Sequence, residues 1–218
     1  MTLATTFLAG ALFGLALAAP PGPMNAIIAE ESVLRGWAAG FKTGLGAMSA
    51  DALFFLLALA GAVTFIRQYP AVQDAMFLAG GALMLYFAIG AVKETSEQFR
   101  SGSGAESRGF SKAFVLSLTN PYQILFWLTA GVGLLTPGTV DVLSYASASL
   151  AGVAVIETGS PALVVGLFGG IAGWIVGFPA ALSAAESKTE ALAPAVAYGS
   201  AVVLAGFGLY FIASVLLF

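Results

Sequence analysis

Two apolar stretches, each long enough to cross a bilayer, are broken in their middle by proline, and this restricts the fold more than any other feature. Ala18-Ala19-Pro20-Pro21-Gly22-Pro23-Met24-Asn25 interrupts the first, and Leu118-Thr119-Asn120-Pro121-Tyr122-Gln123 interrupts another near mid-chain. Proline has no N–H to donate and its ring clashes with the carbonyl four residues back, so each break frees backbone groups that apolar surroundings cannot solvate. At membrane depth such backbone survives only where protein or a water-filled cavity covers it, and discontinuous helices of this kind commonly line solute sites.

The rest of the composition agrees with a bilayer as solvent. The chain is 59% hydrophobic and 9% charged, whereas a soluble domain carries roughly 25% charged residues. It has no Cys and no His, which removes disulfides, thiolate nucleophiles, the Ser-His dyad and the usual zinc ligands. No enzyme chemistry, cofactor or metal is expected. Net charge is -3 and the basic residues form no run, so nucleic acid is not an expected partner.

A span needs about 20 mainly apolar residues. The first runs from about Thr2 to Ala29, with Glu30, Glu31 and Arg35 marking its end. Its opening residues, with Ala16-Leu17-Ala18, look like a signal peptide, but no basic residue precedes them and the apolar run continues past Pro23, so a retained span is expected. The second, about Trp37 to Ile66, carries Lys42 near its start and Asp51 well inside; Arg67 and Pro70 stop it. The third covers about Ala71 to Val92, and Lys93 to Gly109 reads as a solvated loop. The fourth runs from Phe110 to Leu135, broken at Asn120-Pro121. From Val142 the chain is apolar for 42 residues. The fifth span is assigned to about Ala162 to Leu182, leaving Val142 to Ile156 as a re-entrant or interfacial segment followed by Glu157 in a loop. The sixth covers about Pro194 to Phe218.

Six spans place Arg35, Lys42, Lys93, Arg100, Arg108, Lys112 and Lys188 on one side and only Arg67 on the other. The positive-inside rule then puts both termini outside. Leu85-Tyr86-Phe87-Ala88-Ile89 is echoed by Leu209-Tyr210-Phe211-Ile212-Ala213, and Pro23-Met24-Asn25 by Pro121-Tyr122-Gln123. The expected fold is therefore one all-α transmembrane domain over residues 1–218, built as two inverted three-helix repeats of about 1–93 and 110–218, with residues 94–109 between them.

Asn25, Asp51 and Asn120 lie at a common depth, roughly 15 to 21 Å from the cytoplasmic boundary at about 1.5 Å of rise per residue. A carboxyl group there is costly and should face a partner or a wet cavity, where it can carry a proton or pair with a substrate amine. The plainer reading is a protonated side chain bonding between spans. For Asn25 and Asn120 the plainer reading is recapping of freed backbone groups, and both readings can hold together. Lys42 should snorkel to the interface. Tyr86 and Tyr210 read as packing residues. Gly44-Leu45-Gly46, Gly80-Gly81 and Gly169-Gly170 read as close helix contacts, and Gly-rich faces permit a homodimer without requiring one.

These residues resemble a known family. Pro21-Gly22-Pro23 ending the first span, then Arg35-Gly36 and Gly40, a Gly-rich second span with Asp51, and Thr119-Asn120-Pro121 in the fourth look like the LysE/RhtB family of amino-acid exporters. The resemblance implies six spans and efflux of small amino acids or related zwitterions, driven by the proton or an ion gradient, through a multi-pass protein of the cytoplasmic membrane. Carried over, the motif positions fall on Pro21, Gly22, Pro23, Asn25, Asp51, Asn120 and Pro121. Many members follow Asn-Pro with Lys; here Tyr122 and Gln123 follow, and Gln123 joins the substrate-binding candidates. Asp51 is also the proton-coupling candidate. The alternative is export of a divalent cation, which wants several oxygen ligands where only one acid lies deep.

Overall fold

A computed structural model of the chain describes residues 2–61, 69–101, 108–127, 131–141, 155–189 and 191–216. Arg67, residues 102–107 of the polar connection, and residues 142–154 of the expected re-entrant segment lie outside them.

Helix α1 (Leu3–Ala18) opens at Thr2, whose hydroxyl accepts the Thr5 N–H at 3.3 Å, the usual N-cap bond. After the break, α2 (Pro23–Arg35) starts with proline in its first turn, where the missing N–H has no helical partner to lose. The two helices are bent by 83°. Gly36 has φ 84° and turns the chain directly into α3 (Trp37–Leu59), a conformation that favours glycine. The order continues with α4 (Pro70–Ser101), α5 (Gly109–Leu118), α6 (Pro121–Phe126), α7 (Val132–Leu135), β1 (Gly138–Asp141), β2 (Val155–Thr158), α8 (Pro161–Glu186) and α9 (Leu192–Leu216).

Among the described residues α3, α8 and α9 are long and apolar enough to cross a membrane, and α1 with α2 makes a fourth if the bent pair is one crossing. Residues Asp74–Gly90 of α4 and all of α5 are shorter apolar helices.

Three expectations need correction. Helix α4 runs on to Ser101, so the polar stretch after Val92 begins as helix and not as loop. Glu157, expected in a loop, is exposed but lies on β2, where it pairs with Thr139 in a short antiparallel ribbon. Glu30 and Glu31 do not mark a surface boundary: they are 2% and 1% exposed. The 83° bend is the reason, because it turns α2 inward among α3, α5, α8 and α9. Arg35 neutralises Glu31 at 3.2 Å within the same helix.

Helix α2 is thus the hub. The Ser200 hydroxyl donates to the Ala26 carbonyl at 2.6 Å, Ser183 to that of Ser32 at 3.1 Å, and Ser117 to the Met24 sulfur at 2.9 Å. Around it α1 packs on α8, α4 on α9, and α3 on α5. The α1–α8 seam is backbone against backbone. Gly10 and Gly14 lie on the carbonyls of Leu163 and Leu167, while Gly166 and Gly170 lie on those of Phe7 and Ala11. Any Cβ added at these four positions would push the helices apart. The close-contact reading of the other glycine pairs agrees with the packing: Gly44 meets Ile175, Gly46 the Phe110 carbonyl, Gly80 the Thr119 carbonyl, and Gly81 meets Gly208. Lys42 is exposed. Tyr86 and Tyr210 are exposed too, facing outward from α4 and α9 while Met84 and Phe211 fill the core beside them.

Candidate functional site

The two breaks meet at one cavity of about 320 Å³. Pro21, Gly22, Pro23 and Asn25 line it from the first break, Asp51 from α3, and Asn120 and Gln123 from the second. Pro121 begins α6 directly after Asn120. The remaining wall is apolar, with Met24, Met48, Phe126, Ile171, Ile175 and Phe207 prominent, and Trp174 completes it. Asp51 is the one acidic residue among the lining residues described.

The two asparagines each meet backbone at a break, Asn25 through its side chain and Asn120 through its main-chain carbonyl. The Asn25 amide nitrogen donates to the carbonyls of Ala18 at 2.6 Å and Pro20 at 2.8 Å, so it recaps backbone that the break set free. Its oxygen is turned the other way and accepts the Trp174 indole N–H at 3.0 Å. The Asn120 carbonyl accepts the N–H groups of Gln123 at 3.1 Å and Ile124 at 3.2 Å, which closes the first turn of α6 across the break.

Asp51 sits in the middle of α3 and is 7% exposed. One of its oxygens accepts the Trp127 indole N–H at 2.9 Å, and the Gln123 side chain bonds to the same carboxylate. Trp127 cannot easily turn away. Its ring stacks on Phe168 at 6.3 Å and meets Phe55 and Phe126 edge-on at 6.0 Å and 5.4 Å. A packed cage thus aims one donor at one carboxylate oxygen.

Sequence reasoning missed Trp127 and Trp174. A signal was present, since an indole N–H in an apolar span needs an acceptor and few are available there. With three Trp in the chain and so few deep polar side chains, the pairing was limited; the partner of each was not given by spacing.

The chain matches the family described as LysE type translocator over residues 15–215. It belongs to that family. Among curated relatives it is 36% identical over 126 residues to a Bacillus subtilis (strain 168) protein named "Putative amino acid efflux protein YcgF", a match covering 56% of this chain and 60% of that one. It is 32% identical over 130 residues to the leucine efflux protein of Salmonella typhimurium, covering 57% and 59%. It is 26% identical over 141 residues to the uncharacterized membrane protein PA4757 of Pseudomonas aeruginosa, covering 61% and 64%. The chain therefore spans less than two thirds of the length of these relatives. No solved structure matches it. The chain is thus a multi-pass membrane protein of a translocator family.

Proposed function

We propose that this translocator exports neutral amino acids with apolar side chains across the cytoplasmic membrane, using the cavity between the two helix breaks as its solute site. The observation that carries this reading is the enclosure of one carboxylate, two asparagines, a glutamine and a helix start within apolar walls. The Asp51 carboxylate would hold the ammonium group or the coupling proton, and the N–H groups at the start of α2 would face the substrate carboxylate. Met24, Met48, Phe126 and Phe207 would take the side chain. A volume of about 320 Å³ suits one such molecule. The names of two relatives, an amino acid and a leucine efflux protein, point the same way.

The fold behind this reading is six spans in two inverted repeats with both termini outside. Its support is the pairing of elements: exchanging the halves turns the α1–α8 contact into α5–α3 and returns α4–α9 to itself, and all three pairings occur. The divalent-cation reading is weaker. Two donors, the Trp127 indole and the Gln123 amide, are directed at the carboxylate that a cation would need.

Counterflow tests the proposal. Purified protein in liposomes should exchange labelled leucine or methionine, a pH gradient should drive efflux from preloaded vesicles, and Asp51→Asn should abolish both while the protein stays monodisperse. Undiminished counterflow in Asp51→Asn would remove Asp51 from the mechanism.

A further inference from the structure

Beyond the cavity wall lies a second hollow, a crevice of about 310 Å³ between α2, α8 and α9. Phe178, Val196, Gly199 and Val203 line it, and it shares Pro21, Gly22, Asn25 and Trp174 with the central cavity. The same side chains face both hollows, so the partition is one residue thick. Pro21 and Gly22 bring backbone of the break into that partition, and Asn25 is held there by the Ala18 and Pro20 carbonyls.

Trp174 is held differently. Its ring lies on Phe178 at 4.9 Å and 12°, and its N–H is tied to the partition by its bond to the Asn25 oxygen at 3.0 Å. A single neutral hydrogen bond is a modest tie. Behind the ring the crevice is open on its α9 side, where a Cβ at the exposed Gly199 would meet no atom within 4 Å.

We propose that Trp174 is a gate residue: with its indole on Asn25 it separates the two hollows, and swung off Asn25 it joins them, making the crevice a second compartment on the solute's route. The identity of the solute rests on the function proposed above; the partition does not.

The absence of cysteine makes a single introduced thiol a clean reporter. In detergent-solubilised Met48→Cys protein, labelling of the cavity thiol by a small methanethiosulfonate should quicken by about tenfold or more on adding Trp174→Ala, which removes the ring together with a bond that by itself accounts for up to about tenfold. Adding Gly199→Phe, which fills the crevice, should return the rate to its starting value. Trp174→Phe keeps a ring on Phe178 and loses the tie, so it should give an intermediate rate. A labelling rate indifferent to both Trp174 substitutions, or an increase that survives Gly199→Phe, overturns the gate. In liposomes Gly199→Phe alone should slow exchange while the labelled amino acid still stabilises the protein, and normal exchange would remove the crevice from the route. If the wild-type protein exchanges no amino acid, the solute assignment fails while the labelling rates still decide the gate.

Discussion

The bond between Trp127 and Asp51 gives the sharpest test of how the cavity's acid is held. Trp127 is 3% exposed and Asp51 7%, and their contact is 2.9 Å. A hydrogen bond to a charged acceptor contributes about 1.5–3 kcal/mol and a neutral one about 0.5–1.5 kcal/mol. Trp127→Phe removes the donor but keeps a six-membered ring among Phe55, Phe126 and Phe168. It also leaves a gap, and a buried aromatic made smaller costs on the order of 1 kcal/mol for that reason alone. The single variant therefore mixes two effects. A double-mutant cycle with Asp51→Ala separates them, because the gap is present with or without the carboxylate. The coupling energy expected from the geometry is about 1–3 kcal/mol, or roughly 5- to 150-fold in the corresponding equilibrium. It would be measured as stability in detergent for the four proteins, with leucine exchange measured alongside. Exchange in Trp127→Phe should fall about tenfold, the effect of losing roughly 1.4 kcal/mol of alignment at the acid. Additivity within about 0.5 kcal/mol would refute the reasoning, since the indole would then contribute packing and nothing to the carboxylate.

Three further outcomes follow from other contacts. Asn25→Ala deprives the part-buried Ala18 carbonyl and the exposed Pro20 carbonyl of their donor and should cost about 1–3 kcal/mol in all, chiefly at Ala18, read as a lowered melting temperature. Gly166→Leu drives a side chain into the Phe7 carbonyl and should destabilise by about 1–3 kcal/mol, a fall of roughly 2–12 °C; Gly173→Leu on the same helix meets no neighbour and should leave the melting temperature unchanged. Arg35→Gln removes a cation 3.2 Å from the buried Glu31 and should destabilise the protein, by up to about 3–5 kcal/mol, lowering the yield of monodisperse protein. Adding Glu31→Gln should recover most of that yield, and a double variant no better than the single one would mean that the pair is not what Arg35 is there for.

Much of the site was legible because proline and buried charge have few interpretations in an apolar chain. The breaks at Pro20 to Pro23 and at Asn120-Pro121 had to line something, and Asp51 had to face something, so a shared cavity was the economical solution. The structure brings Pro21, Gly22, Pro23, Asn25, Asp51, Asn120 and Gln123 around one hollow. What the sequence could not convey was direction. An apolar run broken by proline reads the same whether its second half continues across the bilayer or turns by 83°, and only the turn makes Glu30 and Glu31 interior residues. The extension of α4 past Val92 has a similar cause: a helix does not stop where its side chains become polar unless a breaker stands there, and Lys93 to Ser101 contains none.

The indoles fail for a different reason. Trp127 reaches Asp51 across 76 residues and Trp174 reaches Asn25 across 149, and no local pattern encodes a bond between helices so distant in sequence. Yet the two bonds have a common form. In each an indole N–H donates to an oxygen of a cavity residue, one bond joining the second broken helix to α3 and the other joining the first broken helix to α8. Exchange of the proposed repeats carries one pair of elements into the other. If the halves alternate in opening the cavity, these two bonds are placed to hold opposite walls of it, and their strengths need not match: Trp127 is caged by three rings, whereas Trp174 stacks on one. The wall closed by the caged indole is then the rigid one, and movement belongs to the side that carries Trp174.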